Sequence, residues 1–295
     1  MLNKEKTVIA LGYFDSVHLG HRKVIEKARR YAKEQGASLT VFTFKGNLKA
    51  MLSGEKEKNV YTAKEREKLL KDIGADQIYF APVNKSFLSK GRLAFLNLLN
   101  KRFNIIAYFS GDDYSFGKYG KGKIDYLTKY ASLHNQEHVI VKTYLSGGER
   151  VSTTRIKGEL ERGEIKVANQ LLGKDYFVTG KVFGDRKVGT SIGFPTLNLS
   201  IDYSKFTLKN AVYSGYIYWK GKEYKAIINY GARPTFDLKE KLIEAHVIDF
   251  NQDLYGKEIT LYFSDYIREI KKFSSSSELV SQLKKDVLVV KGEHV

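Results

Sequence analysis

Val8-Ile-Ala-Leu-Gly-Tyr-Phe-Asp-Ser-Val-His-Leu-Gly-His21 is the stretch on which the fold turns. Its first seven residues make a continuous apolar run, the pattern of a strand buried on both faces in a parallel sheet. Its last four place His18 and His21 three residues apart at the mouth of a basic helix, where Val24, Ile25, Ala28 and Ala32 recur at helical spacing before Gly36. Working outward, residues 39–44 form a second strand. Thr62-Ala-Lys-Glu65 then reads as a capping box before a charged helix carrying Leu69, Leu70 and Ile73. Strands recur at 77–81, 105–109 and 138–143, with helices at 89–99 and 123–132. Repeated β-α units of this length predict a Rossmann-like, doubly wound parallel sheet, with ligands beyond the carboxyl ends of its strands.

From residue 173 the rhythm changes to short, aromatic, turn-separated segments. Tyr213–Trp219 and Lys225–Asn229 flank Lys220-Gly-Lys-Glu223, a hairpin loop. Ile243, Ala245 and Val247 share one strand face and leave Glu244 and His246 on the other. A helix starts at Ser276. The economical architecture is an α/β domain over residues 1–172 and a small antiparallel β-barrel with a C-terminal helix over 173–295.

Composition narrows the chemistry. The 295 residues include no cysteine, which excludes disulfides, thiolate catalysis and cysteine-based metal clusters and fits a reducing compartment. No stretch approaches the roughly 18 apolar residues of a membrane span, so a cytoplasmic location is expected, without a membrane partner. The formal charge of +17 comes from lysines scattered among acidic residues. That pattern suits a solvated surface attracting anionic small molecules, and no obligatory nucleic-acid partner is expected.

Two segments carry phosphate chemistry. At the first, His18 and His21 donate hydrogen bonds where a helix's free N–H groups favour negative charge, and Gly20 allows close approach. A histidine pair alone fits equally a packed core or part of a metal site. At the second, Gly184, Gly189 and Gly193 permit a backbone folded closely around a phosphate. Pro195 stiffens the approach to Thr196 and Asn198, whose oxygens suit a phosphate-bound Mg2+. No Walker A lysine and no protein-kinase catalytic loop accompany them.

Gly12-Tyr-Phe-Asp-Ser-Val-His-Leu-Gly-His21, Gly111-Asp-Asp-Tyr-Ser-Phe-Gly117 and Val151-Ser-Thr-Thr-Arg-Ile156 closely resemble motifs of the bacterial bifunctional riboflavin kinase/FAD synthetases. So do Gly193-Phe-Pro-Thr-Leu-Asn-Leu199, Ala211-Val-Tyr213, Asn229–Phe236, Ile243–Phe250, Leu254-Tyr-Gly256 and Ile267–Phe273, in order. The resemblance covers nearly the whole chain. It implies phosphorylation of riboflavin by ATP and adenylylation of FMN to FAD, with Mg2+ and with flavins and adenine nucleotides as ligands. By that likeness Gly12, Phe14, Asp15, Gly20 and Asp112 belong to the adenylylation site, with His18 and His21 on ATP phosphates. Ser152, Thr153 and Arg155 contact phosphates from a helix start. Glu244 is the base for the ribityl hydroxyl, Thr196 and Asn198 hold Mg-ATP, and Tyr213 and Arg268 stand near the flavin. Arg233 is a weaker candidate.

The chain also departs from the pattern. Phe44-Lys-Gly-Asn-Leu48 stands where the family has Phe-x-Pro-His-Pro, exchanging proline rigidity and an imidazole for a flexible glycine and an amide. Ser16 replaces a glycine, at a conformational cost if its φ is positive. Thr190 replaces an arginine and Ala211 a glycine. The ATP-facing motif is nearly whole and the FMN-facing one altered, so the kinase is the better-supported half. Two alternatives stay open on sequence: a riboflavin kinase with a degenerate or regulatory amino domain, and a flavin-sensing RNA-binding regulator.

Overall fold

The computed structural model describes residues 5–54, 58–183, 193–231 and 242–292. Gly184, Gly189, Thr190 and Arg233 lie outside the described residues. By packing the chain forms two units, Met1–Thr153 and Thr154–Val295.

The first unit begins β1 (Lys6–Leu11), α1 (Leu19–Glu34), β2 (Ser38–Phe44), α2 (Leu48–Ser53), α3 (Ala63–Asp72) and β3 (Gln77–Ala81). It continues with α4 (Lys85–Leu88), α5 (Arg92–Arg102), β4 (Asn104–Gly111), the ribbon β5–β6 (Ser115–Phe116, Gly122–Lys123), α6 (Ile124–Leu133) and β7 (Glu137–Val141). A second ribbon, β8–β9 (Leu145–Ser146, Glu149–Arg150), closes it. Five strands pair in parallel in the order β3-β2-β1-β4-β7. Val8, Ile9, Ala10 and Leu11 are all buried. Successive strand residues point to opposite faces, so both faces of β1 are covered, as its apolar run requires. The capping box at Thr62 and Glu65 forms as expected.

β1 ends at Leu11 and not at Phe14. Phe14 and Val17 take φ of 46° and 47°, left-handed values that cost an aromatic or β-branched residue energy. Ser16 stays out of that region, so the strain considered for it falls on its neighbours. Its hydroxyl instead lies 2.9 Å from Thr153 Oγ1. The chain steps from β1 to β2 and β3 on one side and returns with β4 on the other. That reversal beside β1 opens a crevice at the carboxyl ends of β1 and β4.

Around the division lie α7 (Thr153–Arg162) and α8 (Ile165–Leu172), the latter stopped by Gly173 at φ 71°. The barrel strands follow: β10 (Tyr176–Phe183), β11 (Leu197–Ser200), β12 (Ala211–Trp219), β13 (Lys222–Gly231), β14 (Leu242–Val247) and β15 (Glu258–Arg268). They close antiparallel in the order β10-β11-β14-β13-β12-β15, with β15 pairing back onto β10. Lys220 and Gly221, at φ 50° and 79°, make the two-residue loop of the β12–β13 hairpin, a turn whose twist matches its strands. Tyr213, Ile228, Ala245, Leu261 and Phe263 fill the interior. Helix α9 (Ser276–Lys291) packs Val287 and Val290 over Val212, Ile227 and Ile248.

Candidate active sites

The crevice of the first unit holds a cavity of ≈ 870 Å³. Gly12, Phe14, His18, Gly20, His21 and Asp112, all candidates from the sequence, line it. On the side of β2 and β3 its wall is aromatic and aliphatic. Ring contacts run from Tyr13 to Phe44, Phe87, Phe95, Phe116 and Tyr114, and Leu48 and Leu88 join that wall. After β4 and β7 the lining turns polar, with Asp112, Asp113, Lys142, Thr143 and Arg150. One end therefore suits a flat apolar ring system and the other suits phosphates.

His18 caps α1. Its Nδ1 accepts the backbone N–H of His21 at 3.2 Å, which leaves its Nε2 to carry the proton and donate. The His18 and His21 rings stack at 3.6 Å, and Phe14 meets His21 edge-on. Burial pushes the His18 pKa down to about 4, and the charge of Arg150 adds to the effect. His21 is lowered well below its ordinary value by burial first, then by His18 and Arg150. Both rings are thus neutral donors near pH 7, and His21 Nδ1 has no partner among the described residues. Gly20 lets the ring lie close, since a Cβ would sit 3.0 Å from His18, tighter than an ordinary contact. A histidine lowered by folding contributes stability that is complete above about 6.5, its ordinary pKa, and is lost as pH falls toward about 4. An NMR titration of the free protein is expected to find His18 as the neutral Nε2–H tautomer at pH 6. An imidazolium at that pH contradicts this account.

Asp112 accepts both the N–H and the hydroxyl of Thr143, at 2.9 and 2.6 Å, and those bonds hold its carboxyl below the usual range. Asp113 pairs with Arg150. Asp15 is buried and is not among the residues lining this cavity; its Oδ1 accepts the Val60 N–H at 2.9 Å. Ser152, Thr153 and Arg155 do not line this cavity. The first two sit at the start of α7 and Arg155 in its first turn.

The loop that replaces Pro-His-Pro is not loose. Gly46 avoids the left-handed region, and Asn47 Oδ1 caps α2 by accepting the Ala50 N–H at 2.8 Å. Arg66 was invisible to the sequence reading because it sits in the charged run of α3. It is wholly buried, and its Nη2 donates to the carbonyls of Phe44 and Lys45 at 2.8 and 3.3 Å. Lys142 and Arg150 were also missed. They lie in short segments flanking the Gly147-Gly148 turn, with no periodicity to mark them.

In the second unit, strand register puts the important side chains in one row. Phe183 on β10 faces Asn198 on β11, which faces Glu244 on β14, which faces Asn229 on β13. Val212 on β12 and Arg268 on β15 continue it. The row alternates with the buried Ile243 and Ala245, so it lies on the barrel's outer face. Asn229 Nδ2 donates to Glu244 Oε2 at 3.4 Å. The Oδ1 atoms of Asn198 and Asn229 are buried without a hydrogen-bond partner among the described residues, an arrangement that suits a donor or a cation. Thr196, two residues before Asn198, is exposed, as are Gly193 and Pro195. His246 Nδ1 donates to the Pro195 carbonyl at 2.8 Å and so ties this segment to β14.

The two residues that the motif sets near the flavin both have protein partners. Tyr213 is a core residue, its hydroxyl donating to the Lys209 carbonyl at 2.7 Å and its pKa raised by burial. Arg268 is bound to Asp286 of α9, with Nη2 2.7 Å from Oδ2 and Nε 3.1 Å from Oδ1. It anchors the helix to the end of β15. Asn229 was inside a recognised segment, yet only strand pairing reveals that it flanks Glu244.

The FAD synthetase family model matches residues 1–155, and the riboflavin kinase family model matches residues 172–292. The bifunctional riboflavin kinase/FMN adenylyltransferase of Bacillus subtilis (strain 168) is 33% identical over 290 residues, 95% of this chain and 90% of that one. Its counterpart in Listeria monocytogenes is 32% identical over 282 residues, again 95% of this chain and 90% of the relative. A crystal structure titled as a macrolide-efflux protein from Streptococcus pneumoniae superposes with a TM-score of 0.89 at 30% identity, covering 98% of this chain and 95% of that one. Among the described residues, no helix of the present chain is long and apolar enough to cross a membrane. Sequence identity spread across both units, together with the two matched models, means that the chain belongs to the bacterial bifunctional riboflavin kinase/FAD synthetase family.

Proposed function

We propose that the barrel unit phosphorylates riboflavin with ATP to give FMN, and that the parallel-sheet unit adenylylates FMN to FAD with release of pyrophosphate. The observation that carries this reading is Glu244 held in register between Asn198 and Asn229, with both amide oxygens unsatisfied among the described residues. Glu244 takes the proton of the ribityl 5′-hydroxyl as its oxygen bonds to the γ-phosphorus and ADP leaves. The Asn198 side-chain oxygen and the exposed Thr196 hydroxyl are hard donors and fit Mg2+ carried by ATP. When bound, that ion neutralises phosphate charge. Gly193 and Pro195 shape the approach, and Gly184 and Gly189 are assigned to the phosphates on the motif alone. Arg268 acts here by holding α9 in place.

In the first unit a phosphate oxygen of FMN attacks the α-phosphorus of ATP, the bond to the bridging oxygen breaks, and pyrophosphate departs. His18 and His21 donate to the phosphates as neutral imidazoles, which stabilises the charge that moves onto the leaving group. Arg150 adds positive charge at that end. Ser152, Thr153 and Arg155 are assigned to the phosphates on the motif alone. The ligands are flavins and adenine nucleotides.

Incubation with Mg-ATP and riboflavin, followed by chromatography of the flavins, tests both steps. FMN and FAD are the expected products. FMN alone restricts the chain to the kinase, and absence of both, with reduced flavin also tried, overturns the reading.

A further inference from the structure

We propose that Tyr13 and Arg66 are positioning residues for the flavin end of the adenylylation cavity, setting the wall made by Phe44 and Leu48. This inference rests on the FMN adenylyltransferase reading given above.

Phe44 ends β2 and Leu48 begins α2, and both line the cavity. The segment between them is irregular, so its polar backbone groups need partners from outside it. Arg66 supplies them from α3. Besides the carbonyls of Phe44 and Lys45, its Nη1 reaches the Tyr13 carbonyl and Thr43 Oγ1, each at 3.4 Å. The guanidinium thereby joins the loop after β2 to the loop after β1. Tyr13 works from the other side. Its hydroxyl accepts the Leu48 N–H at 3.1 Å and donates to Asn59 Oδ1 at 2.6 Å. Asn59 Oδ1 also accepts from Asn47 Nδ2 at 2.7 Å.

The clamp is an expensive way to support a wall. A buried cation loses hydration that its hydrogen bonds only partly restore, and apolar replacements of equal volume often stabilise. Burial lowers the Arg66 pKa, with Asp15 opposing that shift. Its Nε has no hydrogen-bond partner among the described residues, so the site is not arranged for greatest stability. What it does achieve is a fixed spacing between Phe44, Leu48 and the Tyr13 ring, three cavity-lining groups. The ties act on the aromatic wall, whereas the phosphate groups are held by α1 and the segments after β4 and β7. Flavin affinity should therefore respond separately from ATP affinity.

Tyr13→Phe keeps the ring and removes only the hydroxyl ties. The expected result is a five- to tenfold rise in KM for FMN, the scale of one lost hydrogen bond. KM for ATP and kcat should stay within about twofold, and riboflavin phosphorylation should be unchanged. The dissociation constant of FMN, read by fluorescence quenching, should rise by the same factor. Arg66→Lys, which keeps the charge but not the fork, is expected to raise KM for FMN as well. Its kinase rate reports whether the chain has folded, and Tyr13→Phe carries the test should it not. An unchanged FMN affinity in Tyr13→Phe, beside a wild type that makes FAD, overturns the positioning role. An equal rise for ATP and FMN overturns it too. A wild type that makes no FAD sinks the adenylyltransferase reading itself, a distinguishable result.

Discussion

Glu244→Gln is expected to lower FMN formation by roughly 10²–10⁴-fold, the usual contribution of a positioned general base. FAD formation from supplied FMN should continue at the wild-type rate. Glutamine keeps the size of the side chain and an oxygen for Asn229 Nδ2, which lies 3.4 Å from the carboxylate, but it cannot take a proton. Partial exposure of Glu244 on the outer face of β14 limits any cost to folding. The split between the two steps is informative, since general unfolding lowers both. Wild-type turnover in the variant removes Glu244 from the role of base, and the unsatisfied Asn198 and Asn229 oxygens then need another explanation.

His21→Ala is expected to slow FAD formation by about 10²–10³-fold, the scale of one lost donor to a developing anion, with riboflavin phosphorylation intact. His21 isolates the chemistry better than His18. Capping of α1 uses the His18 ring and only the backbone N–H of His21, so removing the His21 side chain leaves the cap bond in place. His18→Ala also forfeits roughly 1 kcal/mol of capping. Retained FAD synthesis in His21→Ala excludes a direct phosphate contact. Loss of the kinase step alone reverses the assignment of the two activities to the two units.

Local pattern carried much of the fold. The apolar run after Thr7, the capping box at Thr62, the hairpin at Lys220 and the alternation around Glu244 each depend on neighbours a few residues away. Those neighbours are printed in the chain itself. Even there, side-chain pattern misjudged the end of β1, because the left-handed φ values of Phe14 and Val17 contradict the local preferences of both residues.

The opening histidine pair was legible as a candidate phosphate site because its spacing and its helix are local. Its neutrality was not, because it depends on burial and on the charge of Arg150, about 130 positions away in sequence. Arg66 reads as one more solvated charge in Lys64-Glu-Arg-Glu-Lys68, and only packing puts it beneath the Phe44–Leu48 loop. Tyr213 and Asp15 are both buried, and the bonds from the Tyr213 hydroxyl to the Lys209 carbonyl and from the Val60 N–H to Asp15 come from folding and not from the motif.

The sequence by itself determined two architectures and marked two candidate phosphate segments and the carboxylate at position 244, since periodicity and motif spacing are short-range. Tertiary structure alone decided the row in which Asn198, Glu244 and Asn229 meet, the closure of the barrel by β10 and β15, and the clamp on the altered loop. Each of these needs contacts between residues far apart in the chain. Such contacts form only when folding brings their strands into register, and no local preference encodes that register.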